Sequence, residues 1–185
     1  YADLSTSVME RAMLHSDNAY FIENAHIRGT VCRTNIHPNT AFRGFGGPQG
    51  IATIEAIMEE IALHLGKDSW EVRRVNCYRE EERDTTPYGQ KLENNTLPEL
   101  FDSLYESCDY AARRDAVDLY NKGEHTDYRG LSMTAVKFGI SFTSRFLNQG
   151  NALVNVHTDG SVQVSTGGTE MGQGLNVKIR QVVAS

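Results

Sequence analysis

The sequence predicts an α+β fold of mixed helix and sheet layers. Apolar residues make up 39% of the chain and charged residues 23%, a composition that supports a buried core. Helix-period stripes are mixed with short β-branched runs, without the strict strand–helix–strand repetition of a parallel sheet. Two glycine-rich stretches, TAFRGFGGPQG at 40–50 and GGTEMGQG at 167–174, each stand directly ahead of a helical pattern. On this reading the chain has a helix-rich part, 1–128, and a part made of a strand, a hairpin and the second glycine loop, 129–185.

Each element has a local reason. LSTSVMERAMLH at 4–15 reads as a short helix capped by Asp3, with Leu4, Val8, Arg11 and His15 on one face. Arg11 beside that stripe either snorkels from its edge or points into a cavity. Residues 18–35 carry aromatic and β-branched side chains among turn residues and read as two short strands. After the first glycine loop, Ile51, Ile54, Met58, Ile61 and Leu65 form a helical stripe that Pro48 opens and Gly66 stops. DSWE at 68–71 and TLPE at 96–99 are capping boxes, the second opening a helix that continues toward Leu119. REEERD at 79–84 is a solvated charge run. Residues 130–142 read as a strand. Residues 152–166 read as a hairpin turning at Asp159-Gly160, with Val154 and Val156 facing Val162 and Val164.

The bulk numbers exclude several classes. A net charge of −6 argues against a nucleic-acid binder. No apolar run reaches membrane-spanning length, so no membrane partner is expected. Cys32, Cys77 and Cys108 are scattered, which excludes a local thiol metal site and suits a reducing, cytoplasmic compartment. The opening at Tyr1 and the close inside a helical pattern read as a piece of a longer polypeptide.

Glycine-rich loops ahead of helices favour anions, because bare backbone N–H groups and the helix dipole converge there. The common phosphate motifs fail, however. GFGGPQG places Gln49 where a dinucleotide fingerprint needs glycine, and GGTEMGQG lacks the Lys-Ser or Lys-Thr of a P-loop.

TAFRGFGGPQG, KFGISFT, FLNQG, TDGSV and GGTEMGQG, in this order, resemble the molybdenum-binding part of the xanthine dehydrogenase/aldehyde oxidase family. The resemblance runs from VMERAMLH to VKIRQVVAS and implies that the chain is a fragment of a molybdopterin-binding domain. It implies a pterin dithiolene that carries molybdenum with no protein side chain on the metal. The backbone of Phe42 and Arg43 would wrap a metal ligand, with Arg43 next to it. Phe42, Arg43, Gly44, Gly172 and Gln173 would contact the cofactor. Phe45 and Phe142 would form a slot for a flat ring. Thr143 would offer a hydroxyl to the substrate. Arg11 matches an arginine that contacts purine carbonyl oxygens and would stabilise charge growing on the ring.

The family's general-base glutamate lies beyond Ser185, so no catalytic residue is assigned in this chain, and Glu170 near the second loop is not taken as the base. The implied function is hydroxylation of purines, hypoxanthine to xanthine to urate, with water as oxygen source and NAD as final acceptor. The remainder of the molybdenum subunit, [2Fe-2S] and FAD domains or subunits, and a dimer of the complete enzyme are the implied partners. An aldehyde or another N-heterocycle as substrate stays open, as does a segment inactive by itself.

Overall fold

The computed structural model describes residues 4–38 and 40–185, so the expected cap Asp3 lies outside the described residues. The chain forms two compact units, Tyr1–Gly139 and Ile140–Ser185. The division falls after Gly139 rather than after 128, because side chains of the first unit clamp residues 131–139.

The first unit holds α1 (Ser5–Leu14), α2 (Gly47–Leu65), α3 (Ser69–Asn76), α4 (Leu97–Ser107) and α5 (Tyr110–Asn121). In α2 the buried row is Gly50, Ile54, Met58 and Ala62. This differs from the expected stripe: Ile61 and Leu65 are exposed, because the packing follows the i, i+4 row. Gly66 ends α2 at φ +62°, and the Lys67 N–H returns to the Ala62 carbonyl in a Schellman closure. Asp68 caps α3 by accepting from the Trp70 N–H at 2.7 Å. Glu71 turns to Lys67 at 2.9 Å, so only half of that capping box forms. At α4 the Thr96 side chain makes no cap; Asn95 Oδ1 accepts from the Leu97 N–H instead. The helix expected to run to Leu119 breaks at Asp109, whose φ of +53° turns the chain into α5.

Two clusters make the core. Tyr20, Ile54, Met58, Ala62, Val72 and Cys77 join α2 to α3. Ala19, Phe101, Tyr110, Met133 and Ala135 join α4, α5 and the 131–139 segment. Each large apolar side chain so buried contributes about 1.5–3 kcal/mol.

The strands expected over 18–35 and 130–142 do not form. Among the described residues nothing in 21–38 belongs to a ladder, and Tyr20 makes only an isolated bridge to Cys77. Alternating side chains predict an extended backbone but not its partner. Residues 131–139 do stay extended, with Met133 and Ala135 buried between exposed neighbours. Their partner is a side chain. Asn18, fully buried, donates to the Ala135 carbonyl at 2.8 Å and accepts from the Lys137 N–H at 3.0 Å. One amide thus supplies the two bonds that a neighbouring strand would supply.

The second unit holds a short 3₁₀ turn (Arg145–Leu147), β1 (Ala152–Val156), β2 (Val162–Thr166) and α6 (Leu175–Ala184). The antiparallel register pairs Val154 with Val164 and Val156 with Val162, as expected. Gly160 at φ +85° makes the turn.

Candidate functional site

The first glycine loop is bare mainly because helices meet there. A Cβ on Gly46 would lie 2.0 Å from the Val8 carbonyl oxygen, and one on Gly50 would lie 2.2 Å from that of Ala12. At Gly47 it would lie 2.4 Å from the Phe138 ring. The main chain of α1 therefore rests directly on the start of α2. Gly44 and Gly46 also sit at φ +94° and +106°, and between them Phe45 holds φ +53°, which is unusual for an aromatic residue. The Phe42 ring is 83% exposed, Arg43 is exposed and Phe45 is half-buried. Beside the loop, Val8, Met9 and Ala12 of α1 face Cys32, Phe42 and Gln49 across a cleft of about 840 Å³.

Arg11 is half-buried on α1. Its guanidinium donates to the Gly139 carbonyl at 2.6 Å and lies 5.0 Å from the centre of the Phe138 ring. Burial pulls its pKa below the ordinary arginine value. The charge is directed onto a backbone carbonyl and an aromatic face, and Arg11 is not among the residues that line the cleft beside the loop.

His15 lies one helical turn farther on and is buried. Its Nδ1 is 2.8 Å from the Arg11 carbonyl oxygen, and its Nε2 accepts from the Gly139 N–H at 3.0 Å. The Phe138 ring packs on the imidazole with centroids 4.8 Å apart. Neither His15 nor Phe138 was singled out from sequence. The local signals are the position of His15 on the Arg11 face and the place of Phe138 in KFGISFT.

In the second unit, Phe142 and Thr143 are half-buried. The Asn148 amide closes on the Phe142 backbone, accepting from its N–H and donating to its carbonyl, both at 2.8 Å. This explains the asparagine in FLNQG, which sequence reasoning quoted without a role.

The second glycine loop is shaped by two of its own side chains. Glu170 accepts from the N–H groups of Gly172, Gly174 and Asn176 at 2.8, 3.0 and 3.3 Å. Desolvation pushes its carboxyl up, but these backbone bonds outweigh that and hold it below the ordinary value. Gln173 accepts from the Met171 N–H at 2.6 Å and donates to the Thr169 carbonyl at 2.8 Å. Gly172 and Gly174 stand at φ +96° and +78°.

The kind of donor suits an anionic cofactor, since backbone N–H groups at the start of α6 converge on one anion position. In this structure the Glu170 carboxylate takes that position and the Gln173 amide is bonded to the loop's own main chain, so both would have to turn outward to hold a pterin with its phosphate. Among the described residues no three His, Cys, Asp or Glu side chains gather into a metal site. No described helix is long and apolar enough to cross a membrane.

The chain matches the family described as molybdopterin cofactor-binding domain over residues 1–77 and again over 103–185. It is 52% identical over 182 residues to xanthine dehydrogenase/oxidase of Rattus norvegicus, covering 98% of this chain and 14% of that protein. To the protein of the same name from Gallus gallus it is 50% identical over 183 residues, covering 99% of this chain and 13% of that one. It thus spans only a small part of the length of these relatives. The aldehyde oxidoreductase of Desulfovibrio desulfuricans superposes with a TM-score of 0.62 at 28% identity, over 89% of this chain and 17% of that one. The chain belongs to the xanthine dehydrogenase/aldehyde oxidase family, as a segment of its molybdopterin cofactor-binding domain.

Proposed function

We propose that this chain forms part of the purine side of a molybdenum hydroxylase that uses water as oxygen source and NAD as final electron acceptor. The complete protein would be a cytoplasmic dimer, with [2Fe-2S] and FAD centres on other domains or subunits. When bound, the molybdenum cofactor supplies a two-electron oxidant for a ring carbon. Phe42, Arg43 and Gly44 in the first loop, and Gly172 and Gln173 in the second, would hold it through backbone and amide groups. Arg43 would stand near the metal through its main chain only. Phe45 and Phe142 would bound the ring slot, and Thr143 would bond a polar substrate atom.

The observation that carries the purine reading is the placement of Arg11. Its guanidinium is partly desolvated, lies over Phe138 and has its direction set by the Gly139 carbonyl. A preorganised cation of this kind stabilises negative charge that spreads over a purine ring in the transition state. The names of the xanthine dehydrogenase relatives, at about half identity, support the same class.

The test is Arg11→Met in the complete enzyme, assayed with xanthine and with a small aromatic aldehyde. Losing one preorganised donor should cost on the order of 3 kcal/mol, or roughly a hundredfold in kcat/KM for xanthine. The aldehyde, whose charge develops away from Arg11, should lose at least tenfold less, on the order of 1 kcal/mol or under. Equal losses on both substrates would make Arg11 structural. A second reading, aldehyde as the natural substrate, is favoured by the superposition on an aldehyde oxidoreductase, and equal losses would support it.

A further inference from the structure

We propose that His15 is the positioning residue of the Arg11 site, a neutral imidazole that latches Gly139 and through it sets the direction of the guanidinium. The proposal rests on the reading of Arg11 as the purine-facing charge.

The geometry assigns both the charge state and the tautomer of His15. The Arg11 carbonyl can only accept, so Nδ1, 2.8 Å away, carries a proton. The Gly139 N–H can only donate, so Nε2, 3.0 Å away, must be bare. An imidazolium would set an N–H against an N–H at that second contact.

Gly139 is held at both of its peptide groups from one face of α1. Its N–H goes to His15 and its carbonyl receives Arg11 at 2.6 Å. The preceding Phe138 ring spans the two, 4.8 Å from the imidazole centroid and 5.0 Å from the guanidinium carbon. Gly47, with no Cβ, leaves room for that ring. A shift of Gly139 therefore moves the carbonyl and the aromatic face on which Arg11 rests.

The charged groups around the imidazole reinforce the neutral form. Arg11 on its own helix and Lys137 on the crossing segment both oppose a positive charge, and Asp17 in the following turn favours one. The start of α2 packs Gly50 against this turn, and farther along α2 the Glu55 carboxylate, paired with Arg73, accepts from Asn18 in it. The Asp17 carboxylate is already held by Lys137 and by the Tyr78 hydroxyl. With burial as the largest influence, the His15 pKa falls below its ordinary value. The latch is thus intact at neutral pH and opens only on acidification.

The experiment uses the complete enzyme with His15→Phe, His15→Gln, Arg11→Met and the double variant His15→Phe/Arg11→Met. Each is assayed with xanthine and a small aromatic aldehyde, so that an acid limb common to both reactions cancels in the ratio of their kcat/KM values. His15→Phe keeps a ring against Phe138 and loses both bonds. It should lower the xanthine-to-aldehyde ratio about tenfold, the scale of one lost hydrogen bond near a charge. His15→Gln offers its amide oxygen to the Gly139 N–H and should stay within about threefold of the parent. In the parent the ratio should hold through the ordinary histidine range and fall only at more acid pH, whereas in His15→Gln it should be flat. The double variant should lose no more than Arg11→Met alone. Amide exchange of peptides spanning 131–143, corrected for intrinsic rate, should speed up in His15→Phe and not in His15→Gln. If Arg11→Met is selective for xanthine but the two single losses multiply in the double variant, His15 does not act through Arg11 and the proposal falls. A flat parent ratio across pH, or exchange unchanged in His15→Phe, also overturns it. If Arg11→Met lowers both substrates equally, the purine reading fails first, and that outcome is separate from the exchange result.

Discussion

The two glycine-rich loops look alike as strings and are built on different physics. In the loop at 40–50, glycine chiefly makes space, although Gly44 and Gly46 also take left-handed backbone. Gly46, Gly47 and Gly50 are bare because the α1 main chain and the Phe138 ring occupy the positions where a Cβ would stand. In the loop at 167–174, glycine supplies conformation. Gly174 has open space around its missing Cβ but sits at φ +78°, and Glu170 and Gln173 fold back to satisfy the main chain. The first loop is locked by a neighbouring helix. The second is locked by its own side chains and presents N–H groups that already hold an anion.

The comparison breaks most readily at Gly50. Gly50→Ala in the complete protein should destabilise it by about 3 kcal/mol or more, since a backbone oxygen at 2.2 Å has no rotamer by which to move away. A smaller effect belongs to Gly174→Ala. Its cost is the left-handed backbone alone, about 1–2 kcal/mol, with no clash to relieve. Denaturant midpoints of the two variants test this directly. Equal losses would mean that both loops are limited in the same way.

The smallest effect sharpens the account of the second loop. Glu170 is exposed and its folded pKa lies below the ordinary carboxylate value, so its contribution is complete above the unfolded pKa. That contribution is lost as pH falls through the lower folded value. Amide exchange at Gly172, Gly174 and Asn176, corrected for intrinsic rate, should lose protection over that acid range in the parent. In Glu170→Gln the protection should be weaker and independent of pH there. A pH-dependent response that survived the substitution would assign the anion position to another group.

What the sequence made legible were the features with local causes. The Gly66 stop, the Asp68 cap and the Asp159-Gly160 hairpin each depend on residues a few positions apart, and each stands where the pattern put it. The expected strands failed for a non-local reason. A period of two shows extended chain, and residues 131–139 are extended, but their partner is the amide of Asn18, more than a hundred positions away in the chain. Asn148 does the same for Phe142 at the far end. The proposed site residues stand in recognisable motifs, and the contacts that support them do not follow from those motifs. Arg11, Phe45 and Phe142 carry roles implied by motif resemblance, whereas His15, Phe138 and Asn148 lie inside quoted motifs without a role, because their contacts to Gly139, to Arg11 and to the Phe142 backbone appear only in the folded chain. The α2 stripe was displaced by one position because periodicity shows two adjoining apolar rows and packing selects one of them.

The central claim is that Arg11 meets the substrate while His15 holds its support in place. A crystal structure of the complete, cofactor-loaded protein with a bound purine tests it most directly. The account predicts the Arg11 guanidinium within about 3 Å of a purine carbonyl oxygen, with His15 Nε2 still accepting from the Gly139 N–H and the ring between Phe45 and Phe142. A purine bound away from Arg11, with either phenylalanine packed into the α2 core, would contradict it.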